Sequence, residues 1–183
     1  KGVSGGAVHV SHSEHLFLTG CTFVSNFALY YGGGIFLDQS RKSMISFCFF
    51  GEHSAYGGGG IYVNSNNVDI SIISCDFDSN VARDGGGVYV FKENLHVVFE
   101  FCYFANNTAT SLGGAGMFVD AMNDYLEIKS CKFVRNMASF SRGGGVFFNS
   151  NNNYASVSDS LFEDNFASYK GGGGLFIDDS NRY

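Results

Sequence analysis

Apolar and polar residues alternate in short runs along this chain, as in GIFLD at 34–38, MISFC at 44–48 and VDISIIS at 68–74. A period of two, with β-branched and aromatic residues at the apolar positions, predicts strands that bury one face. Long 3.6-period stretches of Ala, Leu, Glu and Lys, which a helical repeat requires, do not occur. Leucine is scarce and no LxxLxL pattern recurs, so a leucine-rich repeat is excluded too.

The runs repeat. Five cysteines stand at 21, 48, 75, 102 and 131, spaced 27, 27, 27 and 29 residues apart. Each opens a near-identical phrase: CTFVSNFA, CFFGEHSA, CDFDSNVA, CYFANNTA and CKFVRNMA, with a sixth copy, SLFEDNFA, starting at Ser160. An insert of one to four residues follows each phrase, then a glycine run and an apolar triplet, from GGGIFL to GGGGLFI. A unit this short buries its apolar face only against stacked neighbours. Three short strands per unit, with turns of Gly, Asn, Asp and Ser between them, describe one coil of a parallel β-helix. Residues 1–183 therefore read as one all-β solenoid of about six coils of 27–29 residues.

The columns follow from the period. In the first strand Ile35, Ile61, Val88, Met117, Val146 and Leu175 point inward, and so do the residues two places on. The third strand carries inward ladders of Cys21, Cys48, Cys75, Cys102 and Cys131, and of Phe23, Phe50, Phe77, Phe104, Phe133 and Phe162. Ala28 and its equivalents close it. A polar ladder of Asn26, Asn80, Asn107, Asn136 and Asn165, with His53 substituting once, suits a sharp corner. The cysteines read as buried, reduced thiols. Parallel in-register neighbours sit ~4.8 Å apart, too far for a disulfide, and their spacing fits no zinc pattern.

The pairing of FxxN with GGA[ILV] resembles the repeats of the chlamydial polymorphic outer membrane proteins. The matches are FVSN at 23–26, FDSN at 77–80, FANN at 104–107, FVRN at 133–136 and FEDN at 162–165; GGAV at 5–8 fits the second motif. FGEH at 50–53 departs from the first motif, and later copies of the second mostly read GGGI or GGGV. The resemblance implies a right-handed, pectin-lyase-like β-helix in a surface-exposed, adhesive passenger domain. It places this chain outside the cell or on its surface.

Composition narrows the function. With 11 basic against 17 acidic residues the formal charge is −6, and the basic clusters that nucleic-acid binding requires are missing. No apolar stretch of ~18 residues offers a transmembrane helix. The ends, VSGGAVHV and GLFID, carry no polar cap, so a fragment of a longer solenoid or a stacking unit is expected.

No chemistry converges. His9, His12 and His15 cluster near the start with only Glu14 beside them, and read as a solvated loop. The outward charges Asp76, Glu100, Glu127, Lys129, Lys132 and Asp159 scatter, whereas glycosidic cleavage needs two converging carboxylates. The pair Asp178 and Asp179 falls in a turn column with Asp38, Asn64, Asp120 and Asn149, which reads as Asx-turn chemistry. The expectation is thus a non-enzyme without metal or cofactor.

Between the two inward columns of the first strand, Phe36, Tyr62, Tyr89, Phe118, Phe147 and Phe176 are expected to form an exposed aromatic stripe. Its expected partners are other protein subunits, end to end or side by side, or glycans; its alternative role is cross-strand stabilisation. One sequon, Asn106-Asn107-Thr108, makes Asn106 the N-glycan acceptor in a secreted eukaryotic protein and means nothing in a bacterial one.

Overall fold

The computed structural model describes residues 2–169, 171–179 and 181. Its described residues form a parallel β-solenoid whose coils each hold four strands. One coil runs through Ile35–Asp38, Arg41–Ser46, Phe49–Gly51 and Ser54–Gly57, and the next begins at Ile61–Val63. Equivalent strands of successive coils pair in parallel, giving sheets 1 to 4 in that chain order, with seven, six, six and seven strands. Among the described residues no helix is long and apolar enough to cross a membrane.

The expected three strands become four because the third is broken at the asparagine corner. The residue ahead of the ladder position (Ser25, Glu52, Ser79, Asn106, Arg135 or Asp164) takes a left-handed φ of 51° to 56°. Three further non-glycine columns bend likewise, one of them Phe47, Ser74, Phe101, Ser130 and Asp159. Such a conformation costs an L-residue roughly 1–2 kcal/mol. It persists because the bent residue's N–H meets a carbonyl of the next coil, as in Phe47 to Ile73 at 3.0 Å and Glu52 to Asp78 at 3.1 Å. The fifth bend of each coil falls on glycine. At Gly58, φ is +61° and an added Cβ would lie 2.4 Å from the Ile61 carbonyl oxygen, so only glycine fits.

Register is kept through sheets 1 to 3. Ile61 pairs with Ile35 and Val88, and Phe77 with Phe50 and Phe104. The longer repeats store their extra residues in sheet 4, where Ala82 pairs with Ala109 but Asp84 with Gly113. Inside, the phenylalanine column stacks with ring centroids 4.6–5.2 Å apart and planes within 5–17°. Offset stacks of this kind add about 0.5–1.5 kcal/mol each beyond their burial. The five thiols are free; Cys102 Sγ donates to the Ile72 carbonyl at 3.3 Å, and burial pushes the Cys48 thiol up to about 11.

The asparagine ladder is a continuous hydrogen-bonded chain. Asn107 Oδ1 accepts from the Asn80 N–H at 3.1 Å and from its Nδ2 at 3.0 Å, while Asn80 Nδ2 also donates to the Phe50 carbonyl at 2.9 Å. A second buried ladder of Ser40, Asn67, Asn94, Asn123 and Asn152 does the same at the corner between sheets 1 and 2. His53 is the imperfect rung. Its Nδ1 accepts the Asn26 N–H at 3.0 Å, which puts the proton on Nε2, and that buried N–H has no hydrogen-bond partner.

Burial pushes the His53 imidazole down to about 4. Between about pH 6.5 and 4 the unfolded chain binds a proton that the folded chain refuses. The stability His53 allows is therefore complete above pH 6.5 and falls as pH drops toward 4, by up to about 3 kcal/mol at 1.36 kcal/mol per pKa unit. His53→Asn should restore the ladder, raise the urea midpoint at neutral pH and flatten this pH dependence relative to the parent chain. Equal pH profiles for the two proteins would contradict the assignment.

Candidate functional site

The aromatic stripe points away from the core, as the period of two requires, but it is not exposed. Tyr62 and Phe118 are each 2% exposed, and Phe36, Tyr89 and Phe147 are also buried; Phe176 is partly so. The cover comes from sheet 4. Its strands run on to the glycine turn, and their ends lean over the outside of sheet 1. Tyr31 packs on Tyr62 at 4.5 Å between centroids, and a Cβ on Gly57 would touch Tyr89, Tyr62 and Tyr31 at 3.0–3.3 Å. Phe91 closes the other side, 6.0 Å from Tyr89 and 6.1 Å from Tyr62. The stripe is a second apolar core, outside the coil.

Polar groups edge it. Tyr89 Oη donates to Asp120 at 2.9 Å, and Asp84, buried at the end of its sheet 4 strand, accepts the Leu112 N–H at 2.7 Å. Burial raises the Asp84 carboxyl above its ordinary range and holds both Tyr62 and Tyr89 hydroxyls protonated. The turn column beside the stripe differs from the expected Asx-turns. Asn64 Nδ2 donates to Asp38 and Asn149 Nδ2 to Asp120, each at 2.7 Å, so these side chains bond from coil to coil. Asp178 of the same column meets the Arg142 guanidinium at 3.2 Å.

The stripe's cover opens near the last coils. There Phe118 and Phe147 form the floor of a cleft of about 300 Å³, whose rim is Leu112, Phe140 and Tyr169. Arg142 and Asn149 supply polar groups, and the Arg142 guanidinium lies 5.0 Å over the Phe176 ring.

The other candidates lie apart. His9 belongs to the stripe and stacks on Phe36 at 4.8 Å, while His12 and His15 occupy two separate left-handed corners. Among the described residues no group of three or more His, Cys, Asp or Glu side chains is arranged to hold a metal. Lys129 pairs with Glu100 at 3.4 Å on the outside of sheet 2. Asn106 is exposed at its corner, donating to Asp78 at 2.8 Å and accepting from Arg135 at 3.3 Å. The second amide ladder was missed by the reading of the sequence. Its signal is an asparagine at 67, 94, 123 and 152, in step with the cysteine spacing.

Burial of the stripe has a measurable consequence. Tyr62→Ala removes a buried ring and should cost roughly 3 kcal/mol or more, read as a lowered urea midpoint. A change within ~0.5 kcal/mol, as at an exposed position, would contradict the covered geometry.

Comparison with curated proteins and with solved structures returned no match. Residues 6–183 match the family described as the right handed beta helix region, and with that match, the parallel pairing and the stacked columns, the chain belongs to the right-handed β-helix family.

Proposed function

We propose that this chain is a non-enzymatic structural and adhesive module of a cell-surface or secreted β-helix, akin to the passenger domains its FxxN and GGA motifs resemble. The observation that carries the reading is the use made of its buried polar side chains. The two amide ladders, continuous from coil to coil, are spent on holding coils in register. A rod so braced keeps its outer faces at a fixed ~4.8 Å repeat, which is what an extended contact surface needs. Beads coated with the chain should adhere to cells or matrix, and incubation with acidic polysaccharides should release neither reducing ends nor unsaturated products. Catalytic turnover of such a polymer would overturn the reading.

Glycan recognition is the second reading, and the observation favouring it is the cleft over Phe118 and Phe147 rather than the covered stripe. Its volume of about 300 Å³ suits a sugar or two, with aromatic walls for stacking and Arg142 and Asn149 for hydroxyl or carboxylate groups. On a glycan array, Phe140→Ala combined with Tyr169→Ala should abolish whatever binding the parent shows. Unchanged binding would remove the cleft from consideration.

A further inference from the structure

Tyrosine meets tyrosine at several points in this fold, and the contacts differ in access and angle. Tyr62 and Tyr89 lie 4.9 Å apart at 66° inside the covered stripe, where burial also holds their hydroxyls protonated. Tyr31 is half-buried and meets Tyr30, Tyr56 and Tyr62 at 39°, 89° and 30°. Tyr125 and Tyr154 are 44% and 58% exposed, and their rings stack 4.9 Å apart with planes 14° from parallel. Among the described tyrosines no other pair in ring contact is both open to solvent and so nearly parallel.

The backbone beneath fixes this pair. Both residues take the same left-handed corner between sheets 1 and 2 in successive coils, with φ of 55° and 57°. Asp124 Oδ1 accepts the Asn153 N–H at 3.1 Å and its Nδ2 at 3.0 Å, and the Tyr125 N–H donates to the Asn153 carbonyl at 2.9 Å. Two places ahead of each tyrosine stand the buried ladder rungs Asn123 and Asn152. On its other side Tyr125 meets His96, so the stack offers one phenol pair. Two reacting groups so positioned behave as if at effective molarities of about 10⁵ M or more.

We propose that Tyr125 and Tyr154 are an oxidative crosslinking site, where hydrogen peroxide and a haem peroxidase join the two rings as dityrosine and staple successive coils. Each phenol gives up one electron and its Oη proton. The two phenoxyl radicals couple through a carbon ortho to each oxygen, forming one C–C bond. The hydrogens on those two carbons then move to the oxygens, which restores both phenols. Two hydrogen atoms have left the protein, and the peroxide takes them up as it is reduced to two waters. The bond closes a loop one coil long and so restricts the unfolded chain, as a disulfide does. It extends the scaffold reading without depending on it.

The test is to treat the folded chain with a haem peroxidase and dilute hydrogen peroxide. The monomer should gain dityrosine fluorescence, lose two hydrogens in intact mass, and yield a linked peptide pair containing Tyr125 and Tyr154. Tyr125→Phe or Tyr154→Phe should lower that yield about tenfold or more, whereas Tyr30→Phe, at an equally exposed ring, should not. Circular dichroism checks that each variant folds, and the linked chain should show a raised urea midpoint. Dityrosine found only between molecules, or mapped to other tyrosines, overturns the proposal, as does a linked chain no more resistant to urea than the parent. A chain that adheres but forms no bond loses only the staple, and a stapled chain that degrades a polysaccharide loses only the scaffold reading.

Discussion

At two corners of each coil in this solenoid a bent backbone turns buried N–H groups inward, and the side-chain amides of the next coil accept them. An unpaired buried N–H costs on the order of 1–3 kcal/mol, and the corners recur in every coil, so the ladders decide whether coils stack at all. Asn67, Asn94, Asn123 and Asn152 guard one corner, and Asn80, Asn107, Asn136 and Asn165 the other. The amide is suited to the task because one oxygen accepts twice while its nitrogen donates to the ladder and to a carbonyl. Histidine copies half of that pattern and leaves a proton stranded.

With the corners held, the rest of the packing follows. In-register stacking brings like on like, so phenylalanines meet face to face along the axis and the thiols donate to carbonyls of the preceding coil. The same register lets non-glycine residues such as Phe47, His96 and Tyr125 adopt left-handed φ, since each bend is repaid by a hydrogen bond to the neighbouring coil. Exposed ladders form on the outside by the same logic: His96 lies 5.1 Å from Tyr125, which stacks on Tyr154 at 4.9 Å.

Two outer surfaces share one origin. Sheet 4 overhangs sheet 1, and its inner edge seals the stripe of Phe36, Tyr62, Tyr89, Phe118 and Phe147. Its outer side carries exposed apolar residues, among them Leu29, Met137 and Phe166. Where the insert lengthens after Ala109 and Ala138, the overhang loosens, and a cleft replaces the seal. The variable insert is thus the point at which the repeat departs from uniformity and at which binding surface appears.

Cysteine spacing and the period of two were enough to count the coils, to align the phenylalanine, cysteine and asparagine columns, and to say which side chains leave the core. Those features depend only on strand alternation and on stacking at one repeat length, both of which are local. The division into four strands was beyond reach, because left-handed φ at Glu52 or Arg135 is paid for by a partner 26 to 28 residues away. The stripe's burial was equally hidden. Alternation tells which way Tyr62 points, but only the path of sheet 4 across the glycine turn determines whether water or Tyr31 lies beyond it.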